Sequence, residues 1–420
     1  MNTKTIVSIG SALVALAAFA ETEDERGLNI GQRMTLHPYV ALSYTYDSNV
    51  DSGKHGKEGS QWVVNPGVGA EYRGDNWTLE GALWYQYHAY NRYVHQLNSS
   101  SYGESLKFNW SNSMPDEKGW RVMLSEKFHQ IAQDDDMTEH NGRGIGRDRK
   151  QFAADGIIQR RLNETMHLDL IGSYYFLEYD NNVDKYAALY GWKRTSVGAE
   201  FGFAPSKWTD IIIHGDYQWY SQDNDSDLDA WSRGDSETRG RTIRSDSRGY
   251  TLMAGLASKA TERISYRALA GWSKFEYGDG VKDCDGFVYQ ASLNWTMSET
   301  LNMMLLGSSY YQPSEREYGS AIKVYTVSWG LGKSFIRGKL TGTIDVAYRK
   351  ETHEYVEYAE DDYDEDIFTA RVGLNYRLNR YLDIYGRLEY QDEETEGGGP
   401  RKHEYDYDRV RATVGMRLTY

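Results

Sequence analysis

The chain of 420 residues carries 62 acidic and 47 basic side chains, a net charge of -15 and a mean hydropathy of -0.71, yet also 35 tyrosines and 12 tryptophans. Aromatic content on this scale excludes intrinsic disorder, the acidity argues against a nucleic-acid partner, and the lone Cys284 excludes an internal disulfide or a cysteine-pair zinc site. After residue 20 there are almost no continuous apolar runs of the kind a soluble globule of this length would bury.

The opening MNTKTIVSIGSALVALAAFA has a positive start at Lys4, an apolar stretch from Ile6 to Ala17 and a small-x-small site at Ala18-Phe19-Ala20. These parts predict a secretory signal peptide over 1–20, its apolar stretch being too short to span a bilayer as a helix. Residues 21–33 are expected to form a short periplasmic segment, and 34–420 a single domain.

That domain reads as strands. The first is expected around Tyr39 to Tyr46. From Trp77 to Tyr87, one face holds Trp77, Leu79, Gly81, Leu83, Tyr85 and Tyr87. Met166 to Phe176 repeats the pattern, as do Phe287 to Trp295, Leu340 to Tyr348, Phe368 to Tyr376 and Leu382 to Tyr390. The chain stops on RVRATVGMRLTY, with Val410, Ala412, Val414, Met416, Leu418 and Tyr420 on one face and polar residues or glycine on the other. A period of two is that of a strand with unlike faces, and runs of about nine to eleven residues suit a tilted strand crossing a bilayer.

The connections alternate in length. Short ones include Arg73 to Asn76, Asn163 to Thr165, Pro205 to Lys207, Ser298 to Thr300, Ile336 to Gly338 and Asn379-Arg380; long charged ones include Ile131 to Lys150, Ser221 to Ser247, Lys350 to Asp366 and Asp392 to Glu404. This predicts an all-β, up-and-down antiparallel transmembrane barrel of about 18 strands, with short periplasmic turns and long external loops. An even strand number puts both termini in the periplasm, and the last strand is expected to pair with the first so that no edge remains. Trp77, Tyr87, Trp110, Trp120, Trp208, Tyr376, Tyr381, Tyr390 and Tyr420 near strand ends suit interfacial girdles. A soluble β-sandwich is the alternative, but it does not call for alternating loop lengths.

The segment LHPYVALSYTYDSNVDSG, through Tyr46, Asp47, Ser48, Asn49 and Val50, resembles the first strand and loop of the uncharacterised outer-membrane β-barrel porins of Gram-negative bacteria. Some members of that family accompany exopolysaccharide operons. The terminal aromatic Tyr420, with Leu418, is similar to the signal read by the outer-membrane barrel-assembly machinery. The resemblance implies a pore and supplies no catalytic residues.

Ten histidines are scattered without a His-Glu-x-x-His pair, and no Gly-x-Ser-x-Gly stretch occurs. His88, His129 and His167 are candidates for the inner face. Acidic runs concentrate in the expected loops. The spacing of Asp223, Asp225, Asp227 and Asp229 resembles the start of a calcium loop, but Leu228 stands where the glycine belongs and Gly234 where the bidentate Glu belongs. A solvated acidic loop and divalent bridging to lipopolysaccharide are the competing readings, so no firm metal and no cofactor is expected.

With the apolar faces turned to lipid, the other faces carry Glu71, Glu80, Asp169, Glu200, Lys339, Asp345, Arg349, Arg371, Arg377, Asp383, Arg387, Glu389, Arg409, Arg411 and Arg417. So much charge excludes a dry hydrophobic core and implies a hydrated lumen. Glu21 to Arg33 is too short for a plug, and about 18 strands is too few for the plugged barrels of about 22. The arginines of the final third either form a basic selectivity strip or lock Asp345, Asp383 and Glu389 into a lattice. The chain is therefore expected to be a non-enzymatic outer-membrane channel for small hydrophilic solutes, sugars or oligosaccharides among them. The alternative is a structural or export barrel of an exopolysaccharide system with little open conductance.

Overall fold

The computed structural model describes residues 27–50, 56–91, 98–112, 118–134, 147–179, 192–222, 246–277, 283–313, 319–336, 338–355, 363–397 and 406–420. The expected signal peptide and the Asp223 to Asp229 series lie outside the described residues. The strands run in chain order as β1 (Leu28–Ile30), β2 (Met34–Asp47), β3 (Gly59–Arg73), β4 (Trp77–Tyr90), β5 (Ser99–Ser111), β6 (Gly119–Asp134), β7 (Arg147–Arg161), β8 (Met166–Tyr179), β9 (Trp192–Ser206) and β10 (Thr209–Gln222). They continue as β11 (Ser247–Ser258), β12 (Ile264–Tyr277), β13 (Cys284–Ser298), β14 (Leu301–Pro313), β15 (Gly319–Ile336), β16 (Leu340–Tyr355), β17 (Tyr363–Arg377), β18 (Leu382–Gly397) and β19 (Tyr407–Thr419). Helices are absent among the described residues.

Every strand from β2 onward pairs antiparallel with the next, and β19 pairs back onto β2 from Arg411↔Asp47 to Thr419↔Tyr39. The result is a closed 18-stranded antiparallel barrel; β1 is an extra short strand that hairpins onto the start of β2 through Leu28↔Leu36. At the turn between β15 and β16, Gly338 adopts φ +68°, a conformation open to glycine without a Cβ penalty.

The apolar faces point outward and, among the described residues, find no protein to cover them. Leu252 is 64% exposed, Val414 62% and Leu388 53%, so this belt requires lipid. Aromatic pairs mark its short-turn rim. Trp77 stands opposite Trp110 and stacks on Tyr72 at 5.0 Å, and Tyr381 stacks on Tyr420 at 5.6 Å. Tyr420 also donates its backbone N–H to the Pro38 carbonyl at 3.0 Å. Replacing Tyr420 with Asp, or deleting 418–420, should sharply reduce the barrel recovered from the outer membrane while export across the inner membrane continues. Wild-type surface levels of either variant would contradict this.

The strands outrun the membrane. β15 has 18 residues and β16 and β18 have 16 each, against the roughly nine to eleven that crossing needs. The four stretches named as long loops therefore all begin as strand, Ile131–Asp134 in β6, Ser221-Gln222 in β10, Lys350–Tyr355 in β16 and Asp392–Gly397 in β18. Beyond the lipid belt the outer face meets water while the inner face carries buried polar residues such as Glu351, His353 and Glu393, so the alternation that betrays a strand is lost while the backbone ladder continues. Cross-strand charge takes over there, as in Lys350 to Asp364 at 2.7 Å and Tyr348 to Asp366.

The junction of first and last barrel strands has its own clasp. Arg409 Nε lies 2.9 Å from both carboxylate oxygens of Asp47, Ser48 Oγ accepts the Val410 N–H at 2.8 Å, and Asn49 Nδ2 donates to the Asp408 carbonyl at 3.2 Å. Asp47 Oδ1 also accepts the Asn49 N–H at 3.0 Å, an Asx turn. The Tyr46 to Val50 stretch thus joins the barrel's two ends.

Candidate functional site

The inner face is the candidate site. Its direction follows from Arg267 on β12, which donates to both oxygens of Glu200 on β9 at 2.6 and 3.2 Å. Those strands are separated by β10 and β11, about 14 Å along the sheet, a gap side chains close only from the concave side.

On that face one row of charges crosses five neighbouring strands in strict alternation. Asp345 stands opposite Arg371, Arg371 opposite Glu389, Glu389 opposite Arg411, and Arg411 opposite Asp47. Arg371 Nε donates to Glu389 Oε2; Arg411 lies 3.4 Å from Glu389 and 3.3 Å from Asp47. Asp47, Glu389 and Arg409 are buried. Opposite charges facing each other on adjacent strands stabilise the wall and neutralise one another. A second row joins Arg377 to Asp383 at 3.5 Å, with Arg417 opposite Asp383 in register and its guanidinium 4.1 Å from the Tyr39 ring centroid.

Arg387 differs. Its register neighbours are Gly373 and Thr413, it is exposed, and it lies within electrostatic reach of Asp345 without forming an ion pair among the described residues. Of the four arginines expected to form a basic strip, Arg371, Arg409 and Arg411 are held by carboxylates, and Arg387 alone offers its charge to the lumen.

Glu71 and Glu80 stand apart from this row. They face each other across β3 and β4 near the periplasmic turn, with Arg73 bonded to Glu71 and Lys107 opposite Glu80. Lys339 is not on the wall; it sits in the turn after Gly338, because β15 ends at Ile336 and β16 starts at Leu340.

Aromatic rings on the inner face lie against glycines directly opposite. Tyr39 faces Gly67, Trp84 faces Gly103, and Tyr385 faces Gly415. A Cβ at each glycine would sit only 2.5, 2.3 and 2.5 Å from the ring, so the missing side chain is what lets each ring lie along the wall. Sequence reading had no access to these pairs, because the two members belong to different strands.

Three histidine sites emerge. His88 meets Gln61 Oε1 at 2.8 Å. His167, Asp169 and Glu200 gather on β8 and β9, where His214 Nδ1 comes within 3.4 Å of Glu200. On β16 and β17, Glu351, His353 and Glu365 converge. The last group falls in a stretch expected to be loop. The signal was present: Asp345, Arg349, Glu351 and His353 share one parity, so the strand face simply continues.

Residues 230–420 match a family model described as "Putative beta-barrel porin 2", and residues 35–190 match one described as "Putative MetA-pathway of phenol degradation". The Tyr46 to Val50 stretch falls within the second match. No curated protein matches the chain. Among solved structures, the FrpB iron transporter from Neisseria meningitidis (F5-1 variant, apoprotein) is 12% identical with a TM-score of 0.50, covering 92% of this chain and 66% of its own, so the chain spans just under two-thirds of that protein. The outer membrane protein opdK from Pseudomonas aeruginosa is 12% identical with a TM-score of 0.45, covering 92% of this chain and 99% of its own. The siderophore receptor PirA from Pseudomonas aeruginosa is 7% identical with a TM-score of 0.44, covering 94% and 81%. At 12% identity the likeness to the FrpB transporter is one of fold, that of a β-barrel.

Proposed function

We propose that the protein is a passive outer-membrane channel for small hydrophilic solutes, sugars or oligosaccharides among them, and performs no catalysis. An eighteen-stranded barrel is wide enough to leave an aqueous passage, and a wall of paired charges is compatible with water rather than a packed core. The observation that carries the reading is the seating of Tyr39, Trp84 and Tyr385 against glycines, which lays large rings along the wall instead of across the lumen. Such rings, set among carboxylates and guanidinium groups, offer a sugar both an apolar face to stack on and partners for its hydroxyls. The long connections face outward and the short turns the periplasm.

Planar-bilayer recording of the refolded barrel tests this. Stable single-channel conductance is expected, reduced when Gly103→Val pushes Trp84 off the wall, with transient block by oligosaccharides. A folded wild type without conductance would reject the channel and favour a structural barrel of an exopolysaccharide system.

A further inference from the structure

We propose that Glu351, His353 and Glu365 form a binding site for a divalent cation of the zinc class, on the inner wall at the root of the connection between β16 and β17. The inference does not rest on the channel reading.

Glu351 and His353 are two residues apart on β16 and so share its inner face; Glu365 stands directly opposite Glu351 on β17. His353 Nε2 lies 3.3 Å from Glu351 Oε2 and 3.4 Å from Glu365 Oε2. Charge-assisted hydrogen bonds are shorter, about 2.7–2.9 Å. A tetrahedral ion bonded to nitrogen and carboxylate oxygen at about 2.0–2.2 Å holds its ligands about 3.3–3.6 Å apart, which is the spacing of both histidine–carboxylate pairs, and all three ligand atoms lie within 4.8 Å of one another. One imidazole and two carboxylates leave a fourth position for water or solute. The nitrogen donor argues against calcium and magnesium, which prefer all-oxygen shells.

Charge points the same way. Glu351 and Glu365 are both buried, and like charges directly opposite on neighbouring strands repel. Arg349 engages Oε1 of Glu351, leaving Oε2 turned toward the histidine and supplying a supporting contact of the sort that orients metal ligands. The Tyr363 ring stacks on the imidazole at 4.3 Å and 9°, fixing its plane. Val324 and Ile322, opposite Glu351 and His353 on β15, are 0% and 4% exposed and keep that flank dry. At His167, Asp169 and Glu200 the carboxylates are already engaged, Arg267 taking both oxygens of Glu200 and Gln159 bonding Asp169.

The test uses the full-length barrel, refolded in detergent without an affinity tag, with Co2+ as optical probe and Zn2+ as competitor. About one Co2+ per chain should bind with the intense visible bands of a four-coordinate site, and Zn2+ should displace it. His353→Gln and Glu365→Gln should each weaken binding by at least about 100-fold, the most that loss of a supporting contact alone would cost. Heat-modifiable gel mobility establishes that each variant is folded. Zn2+ should also raise the thermal midpoint of the wild type. Absence of Co2+ bands in the folded wild type, or folded variants that bind as it does, would overturn the proposal; the wild-type result decides alone if the variants do not fold.

Discussion

Arg409→Ala should lower the stability of the barrel by about 3 kcal/mol, the low end of what removing one partner of a buried ion pair costs. Arg409 and Asp47 are each 4% exposed, and the guanidinium Nε reaches both carboxylate oxygens at 2.9 Å. Truncation would strand a carboxylate out of water. The loss stays at the low end because Arg411, 3.3 Å from the same carboxylate, remains to hold it. Arg411→Ala should cost under about 1 kcal/mol, since its side chain is 31% exposed and its contacts are longer. Urea unfolding in lipid vesicles, followed by the heat-modifiable gel shift, measures both. Equal midpoints for the two variants would refute the ranking.

Arg387→Glu should act on permeation instead. Its charge faces the lumen without an ion-pair partner among the described residues, and an uncompensated wall charge changes ion concentrations in a narrow aqueous passage even when the whole protein is acidic. Under a tenfold KCl gradient the reversal potential should move toward cation preference by roughly 10 mV or more, against the about 59 mV available to a perfectly selective monovalent channel. The urea midpoint should stay near that of the wild type. An unchanged reversal potential, or a large loss of stability, would place Arg387 in the lattice with its neighbours. Arg371 and Arg411 meet Glu389, as the lattice alternative expects, Arg409 is held by Asp47, a carboxylate outside that expectation, and the reversal potential decides Arg387.

Periodicity exposed the strands wherever one face meets lipid, as in Leu382 to Tyr390 and Val410 to Tyr420, because lipid imposes a strict demand on alternate residues. It failed for Glu351, His353, Glu365 and Glu393, where water on the outer face removes that demand and the acidic residues look like loop. The partners on the inner wall were illegible for a different reason. That Arg411 meets Asp47, or Trp84 meets Gly103, depends on inter-strand register, which turn lengths and bulges set and composition does not reveal. Lys339 shows the converse limit: parity alone placed it on the wall, and a turn ending one residue later removed it.

The pairing of β19 with β2 has a consequence for how the molecule is made. Every other barrel pairing joins neighbours in the chain, but Arg409 and Asp47 are 362 residues apart. Joining the ends of a free coil of that length would cost about 5 kcal/mol in chain entropy. Hairpins formed first remove most of that cost, because the accumulated twist and coil of the growing sheet carries its two edges toward each other. Closure has the large sequence separation that makes a contact intrinsically slow to form, and it removes edges that would otherwise pair with any passing strand. Asp47, Ser48 and Asn49 supply the side-chain contacts that tie these two distant strands together in the closed barrel.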